Sequence, residues 1–86
     1  MTTLTAALVR EQGVTFAVAL MKDHVLDNPM LADQQIRAVA AALGCPLVVL
    51  MGEGNRRLRG NRRDVVDFVA SIHPSRLPWK EYRIAA

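Results

Sequence analysis

One cysteine, two lysines, two histidines and four aromatic residues are few for a chain of 86 residues. Each scarcity removes a class of chemistry. Cys45 alone can close no internal disulfide and build no cysteine-rich zinc site, which excludes a disulfide-stapled secreted fold. His24 and His73 are too few to hold a metal without a set of other ligands. Trp79, Tyr82, Phe16 and Phe68 are too sparse and scattered to stack the bases of a single strand beside a basic groove. Apolar runs such as Leu47–Met51 fall far short of the ~20 residues that a membrane span needs. The opening "MTTLTAALVREQ" has no basic leader segment, and its apolar stretch breaks at Arg10, so no signal peptide is expected. No glycine-rich phosphate fingerprint is present either, because "GEGNRRLRG" is not followed at once by a helix. These absences predict a cytoplasmic protein with no metal, no cofactor and no membrane partner.

What is present is an ordinary globular balance, with 51% hydrophobic and 22% charged residues. Residues 1–86 read as a single domain. The net charge of +3 is a mild attraction for acidic partners and no more. Nine arginines against two lysines fit a bacterial source.

The spacing of apolar residues predicts the order β-β-α-β-β-α. "TAALVREQ" reads as an edge strand, since Arg10 and Glu11 require water. Gln12-Gly13 marks a tight turn into "VTFAVALM", which is apolar on both faces and therefore central. Asp27 or Asn28 can cap a helix, with Pro29 in its first turn. Ala32, Ile36, Val39, Ala40 and Leu43 form its stripe. Gly44 suits a left-handed C-cap, and Pro46 prevents continuation. "PLVVLM" is a second central strand, "GEGN" a turn and "RRLRG" a returning strand. Asn61 is expected to cap a second helix, with Asp64 bonding back and Val65, Phe68, Val69 and Ile72 buried. Residues 74–86 read as an irregular or extended tail, in which "PWKEYRIAA" either packs Trp79 and Tyr82 back on the domain or extends as a short edge strand. The sum is a small α/β or α+β domain: a mixed four-stranded sheet with two helices, its central strands joined by a right-handed parallel crossover.

"GCP" followed by "LVVLMGEGNRRLRGNRRDVVDFVASI" resembles the second half of a thioredoxin-like domain. A proline precedes a buried strand, a hairpin leads to a short strand, a glycine follows, and an amphipathic helix closes the unit. "VTFAVALM" and its helix resemble the preceding strand and helix. The resemblance implies a mixed-sheet fold, a cis proline at Pro46, and a place beside the redox site for Cys45. It does not imply redox catalysis. The chain has no Cys-x-x-Cys, and "DNPM" stands where that family carries its nucleophile.

Five of the nine arginines lie between residues 55 and 64. Alternation puts Arg57 and Arg59 on one face, with Leu58 opposite. Arg62 and Arg63 sit at a helix start, where the macrodipole disfavours cations by a few tenths to ~1 kcal/mol. An anion there would relieve the conflict, held by Arg59, Arg62 and Arg63 with Arg57 near, and Gly60 admitting close approach. The favoured reading is a solvated edge, since Arg63 can pair with Asp67 and arginine protects edge strands. A phosphate, a nucleic acid and an acidic protein are the alternatives. "KDH", Lys22–His24, lies just past the end of a central strand, where open sheets often bind ligands. The reading preferred there is a polar strand end.

If both helices cover one face, the Thr15, Ala17, Ala19 and Met21 face needs another cover: the tail, through Leu77, Trp79, Tyr82 and Ile84, or a second copy. A homodimer is expected, acting as a small non-catalytic, self-associating protein-interaction domain. Phosphate or nucleic-acid binding by residues 56–63, and thiol chemistry at Cys45 beside Pro46, are the other functions considered.

Overall fold

In the computed structural model, which describes residues 2–54 and 56–84, Gln12 and Gly13 both take positive φ, 50° and 79°. This two-residue turn twists with the strands it joins. It folds β1 (Thr2–Glu11) back on β2 (Val14–Met21) in antiparallel register from Glu11–Val14 to Ala6–Ala19. A short helix, α1 (Asp23–Asp27), and a long one, α2 (Pro29–Leu43), then lead to β3 (Val48–Gly52), which pairs parallel to β2. Asn28 caps α2 by accepting from the Leu31 N–H at 3.2 Å, and Pro29 occupies the first turn. Gly44 ends the helix at φ 63°, ψ 31°, the left-handed conformation glycine adopts without penalty. A turn leads to β4 (Leu58–Gly60), antiparallel to β3, and then to α3 (Arg63–Ala70).

The sheet has five strands where four are expected, in the order β4-β3-β2-β1-β5. The fifth comes from the tail. After a 3-10 turn at Pro74–Arg76, β5 (Trp79–Ile84) pairs antiparallel with β1. β1 is therefore interior, and β5 takes the edge assigned to it. Turn and tail are fastened locally: the Trp79 indole donates to the Pro74 carbonyl at 2.8 Å, and His73 Nδ1 accepts from the Ser75 N–H at 3.2 Å.

The helices lie on opposite faces, so the uncovered face that would call for a second copy does not arise. Ala17 and Ala19 of β2, Val48 and Leu50 of β3, and Leu4 and Ala6 of β1 pack under Ala32, Ile36 and Val39 of α2. The alanines allow close approach. Phe16, Val18, Val49 and Met51 pack on the other side with Val65 and Val69 of α3, joined by Leu77 and Trp79. The Phe16 and Phe68 rings meet edge to face at 5.9 Å. Burial at ~25 cal/mol per Å2 of apolar surface makes these two layers the main source of stability.

Two further expectations are corrected. The residue at the N-cap of α3 is Arg62, with no side-chain cap bond, and Asn61 is used elsewhere. The returning strand is only Leu58–Gly60, so Arg56 and Arg57 lie in the turn before it, Arg56 at φ 57°.

Candidate functional site

The arginine-rich segment divides between the two faces. Leu58 packs into the α3 layer, which turns its neighbours the other way. Arg57 pairs with Asp27 at the end of α1, and Arg59 Nη2 lies 3.7 Å from Asp33 of α2. Arg62 Nε reaches Asp64 at 2.8 Å, across the start of α3. The Arg62 guanidinium holds the Asp64 carboxyl below its ordinary pKa, with smaller help from backbone N–H groups. All three pairs are solvent-exposed, so water screens them and none is a main source of stability. Arg63 and Asp67 form no ion pair among the described residues. Arg57, Arg59, Arg62 and Arg63 thus do not converge on one point, and three of them already face a carboxylate.

Gly60 serves packing. A Cβ there would sit 2.6 Å from Val66 Cγ2 and 3.0 Å from the Val48 carbonyl oxygen, so α3 can lie on β4 only over a glycine. Asn61 joins β4 to the entry of β3. Its Oδ1 accepts from the Val48 N–H at 3.1 Å and its Nδ2 donates to the Pro46 carbonyl at 2.6 Å. This bridge explains the asparagine better than a helix cap does.

Cys45 is buried, with its Sγ 3.4 Å from the Leu47 carbonyl and 3.6 Å from that of Thr15. No cation approaches it among the described ion pairs and hydrogen bonds. The peptide before Pro46 is trans, unlike the cis bond that the thioredoxin-like pattern implies. Asp23 and His24 lie in α1, where Asp23 accepts from the Gly54 N–H at 3.1 Å and His24 is exposed. Among the described residues no group of three or more metal-ligating side chains gathers, and no helix is long and apolar enough to cross a membrane.

A concave site lies at the C-terminal end of β2, beside α1, where the sheet splits. The β1–β2 ladder stops at Ala6–Ala19. Beyond it, residues 2–5 of β1 pair only with β5, and Leu20 and Met21 of β2 pair only with β3. An open cavity of about 490 Å3 occupies the gap. Thr3, Leu4 and Thr5 form one wall, and Leu20, Met21 and Lys22 the other. Val25, Gln35, Ala38 and Val39 close the α1–α2 side, with Glu53 at the end. Leu4 and Met21 belong to the α2 layer and Leu20 to the α3 layer, so one cavity is lined from both sheet faces. The Glu53 N–H donates to the Met21 carbonyl at 2.9 Å, and Gly54 is tied to Asp23, which fixes the far wall. The side chains of Thr3, Thr5, Lys22, Gln35 and Glu53 make no internal hydrogen bond or ion pair among the described residues. The cleft therefore offers an apolar floor, two hydroxyls, an amide and one charge of each sign.

Sequence reasoning points to this place only through "KDH", past the end of β2. Thr3, Thr5, Gln35 and Glu53 carry no local signal, because a split in a sheet is a property of pairing. Searches of family models, characterised proteins and solved structures find no match to this chain.

Proposed function

We propose that the chain is a small non-catalytic binding domain acting through protein contacts, with the split between β1 and β2 as its recognition cleft and a short extended peptide segment as the occupant. The end of the ladder at Ala6–Ala19 carries this reading. Strands that keep one ladder and lack the other accept an added strand, with main-chain bonds giving affinity and flanking pockets giving selectivity. Ladder alternation turns the backbone N–H and C=O of Thr3 toward the gap. Leu4, Leu20, Met21 and Val39 supply apolar contact, and Lys22 and Glu53 supply charge for polar side chains or chain ends. A volume of about 490 Å3 falls within the ~300–1,000 Å3 of small ligand sites. The anion reading at Arg57, Arg59, Arg62, Arg63 and Gly60 ranks behind it, because carboxylates already meet three of those arginines.

Amide shift mapping with pooled short peptides tests the reading. The expected result is a response confined to residues 3–5 and 20–22. Ala38→Trp, an exposed helix position at the cleft, should abolish it without changing the far-UV circular dichroism. Peptides that leave these amides still, or small acids and amines that move them where peptides do not, would refute it.

A further inference from the structure

We propose that two copies of this chain associate through β5, antiparallel about a two-fold axis at Tyr82, so that two five-stranded sheets become one.

The two sheet edges differ. β4 is three residues long, whereas β5 is six and has a ladder only on its β1 side. An edge of that length offers a row of main-chain groups to another strand, and its charges Lys80, Glu81 and Arg83 oppose such pairing unless the register sets opposite signs together. Which register it permits follows from the hydrogen-bond alternation. The two-residue turn makes Glu11–Val14 a hydrogen-bonded pair, so the odd residues of β1 turn their main-chain groups toward β2. The even residues of β1 then face β5, and Leu4–Tyr82 and Ala6–Lys80 are its bonded pairs. In β5 the odd residues, Glu81 and Arg83 among them, point their N–H and C=O outward.

A two-fold antiparallel pair must match outward residues with outward residues, which restricts the axis to a residue and excludes axes between residues. An axis at Lys80, Glu81 or Arg83 sets each of those charges opposite its own copy, a destabilising arrangement. An axis at Tyr82 sets Glu81 opposite the partner's Arg83, and Arg83 opposite the partner's Glu81, each pair exchanging both main-chain bonds. Tyr82 then meets the partner's Tyr82 as the close, non-bonded pair. Glu81 and Arg83 are exposed and hold no partner within the described chain, so both are available. Of the registers that backbone geometry admits at the charged residues and Tyr82, one alone turns the edge charges from repulsive to complementary.

Sedimentation equilibrium of the full chain should give a dimer. Glu81→Arg and Arg83→Glu should each weaken association at least about tenfold, and the double swap should restore it, while circular dichroism stays unchanged for all three. In a Cys45→Ala background, Tyr82→Cys should cross-link on mild oxidation, because a non-bonded pair brings Cα atoms to ~4.5 Å, inside the ~4.4–6.8 Å that a disulfide spans. A monomeric chain would overturn the proposal. A dimer indifferent to both single charge changes, or a double swap that fails to restore association, would overturn it equally.

Discussion

Asp64 shows how one neighbour sets a side chain's behaviour at an exposed helix start. The Arg62 guanidinium bonds to the ionised carboxyl and lowers its pKa, and this outweighs the desolvation that pushes the other way. A native value below the unfolded one means that the folded chain holds the proton less tightly. The stabilisation is therefore full above the unfolded pKa of ~3.9 and vanishes as pH falls through the lowered native value. Arg62→Ala should raise the Asp64 pKa toward that unfolded value, read from the pH dependence of its side-chain carbonyl resonance. An unshifted titration would mean that the contact is not maintained in solution. The same pairing matters for function. An arginine that answers a carboxylate two residues away is no longer a preformed claw for phosphate.

At the level of elements, the junction between β3, β4 and α3 depends on Asn61 more than on any cap. Asn61→Ala leaves the N–H of the buried Val48 and the carbonyl of Pro46 without their partners. A buried orphan of this kind costs ~1–3 kcal/mol, which urea unfolding should register as a lower midpoint at unchanged slope. A loss under ~0.5 kcal/mol would show that water substitutes for the amide. Local chemistry made several elements legible beforehand. Gln12-Gly13, Asn28-Pro29 and Gly44 do in the fold what their backbone preferences dictate, and the two-sided apolar strands are indeed adjacent and parallel. What escaped were matters of partnership. Asn61 resembles a cap until Val48 is known to lie beside it, and "WKEYRIAA" can extend as a strand without showing that β1 is the one it pairs with. Nor does helical periodicity say which face a helix will take. The candidate cleft was hidden for the same reason: Thr3 and Lys22 are far apart in sequence, and only the early end of the β1–β2 ladder places them across a gap.

On the scale of the whole molecule, stability should be uneven in a way that the split defines. β2 is flanked on both edges and covered on both faces, and Val18, Ala19, Val49 and Leu50 are wholly buried. Freeing their amides means breaking both layers at once. The far end differs. Residues 2–5 of β1 have no ladder partner but β5, and β5 has none but β1. Together they form a two-stranded ribbon hung on the sheet, and such ribbons are marginal by themselves. Leu4 and Tyr82 form one of its bonded pairs, with side chains reaching the α2 layer, so the ribbon is anchored but not locked. Native-state hydrogen exchange should resolve the two regimes. In protein dilute enough to be monomeric, the amides of Val18, Ala19, Val49 and Leu50 should exchange only through global unfolding, whereas those of Leu4 and Tyr82 should exchange at least about tenfold faster through local opening. Addition of a cleft-binding peptide should slow the ribbon toward the core rate, because the occupant would bridge its free side to β2. If Leu4 and Tyr82 are already as protected as Val18 in the free chain, the ribbon is not an independent unit, and the gap beside it is a rigid crevice rather than a place that closes on a strand.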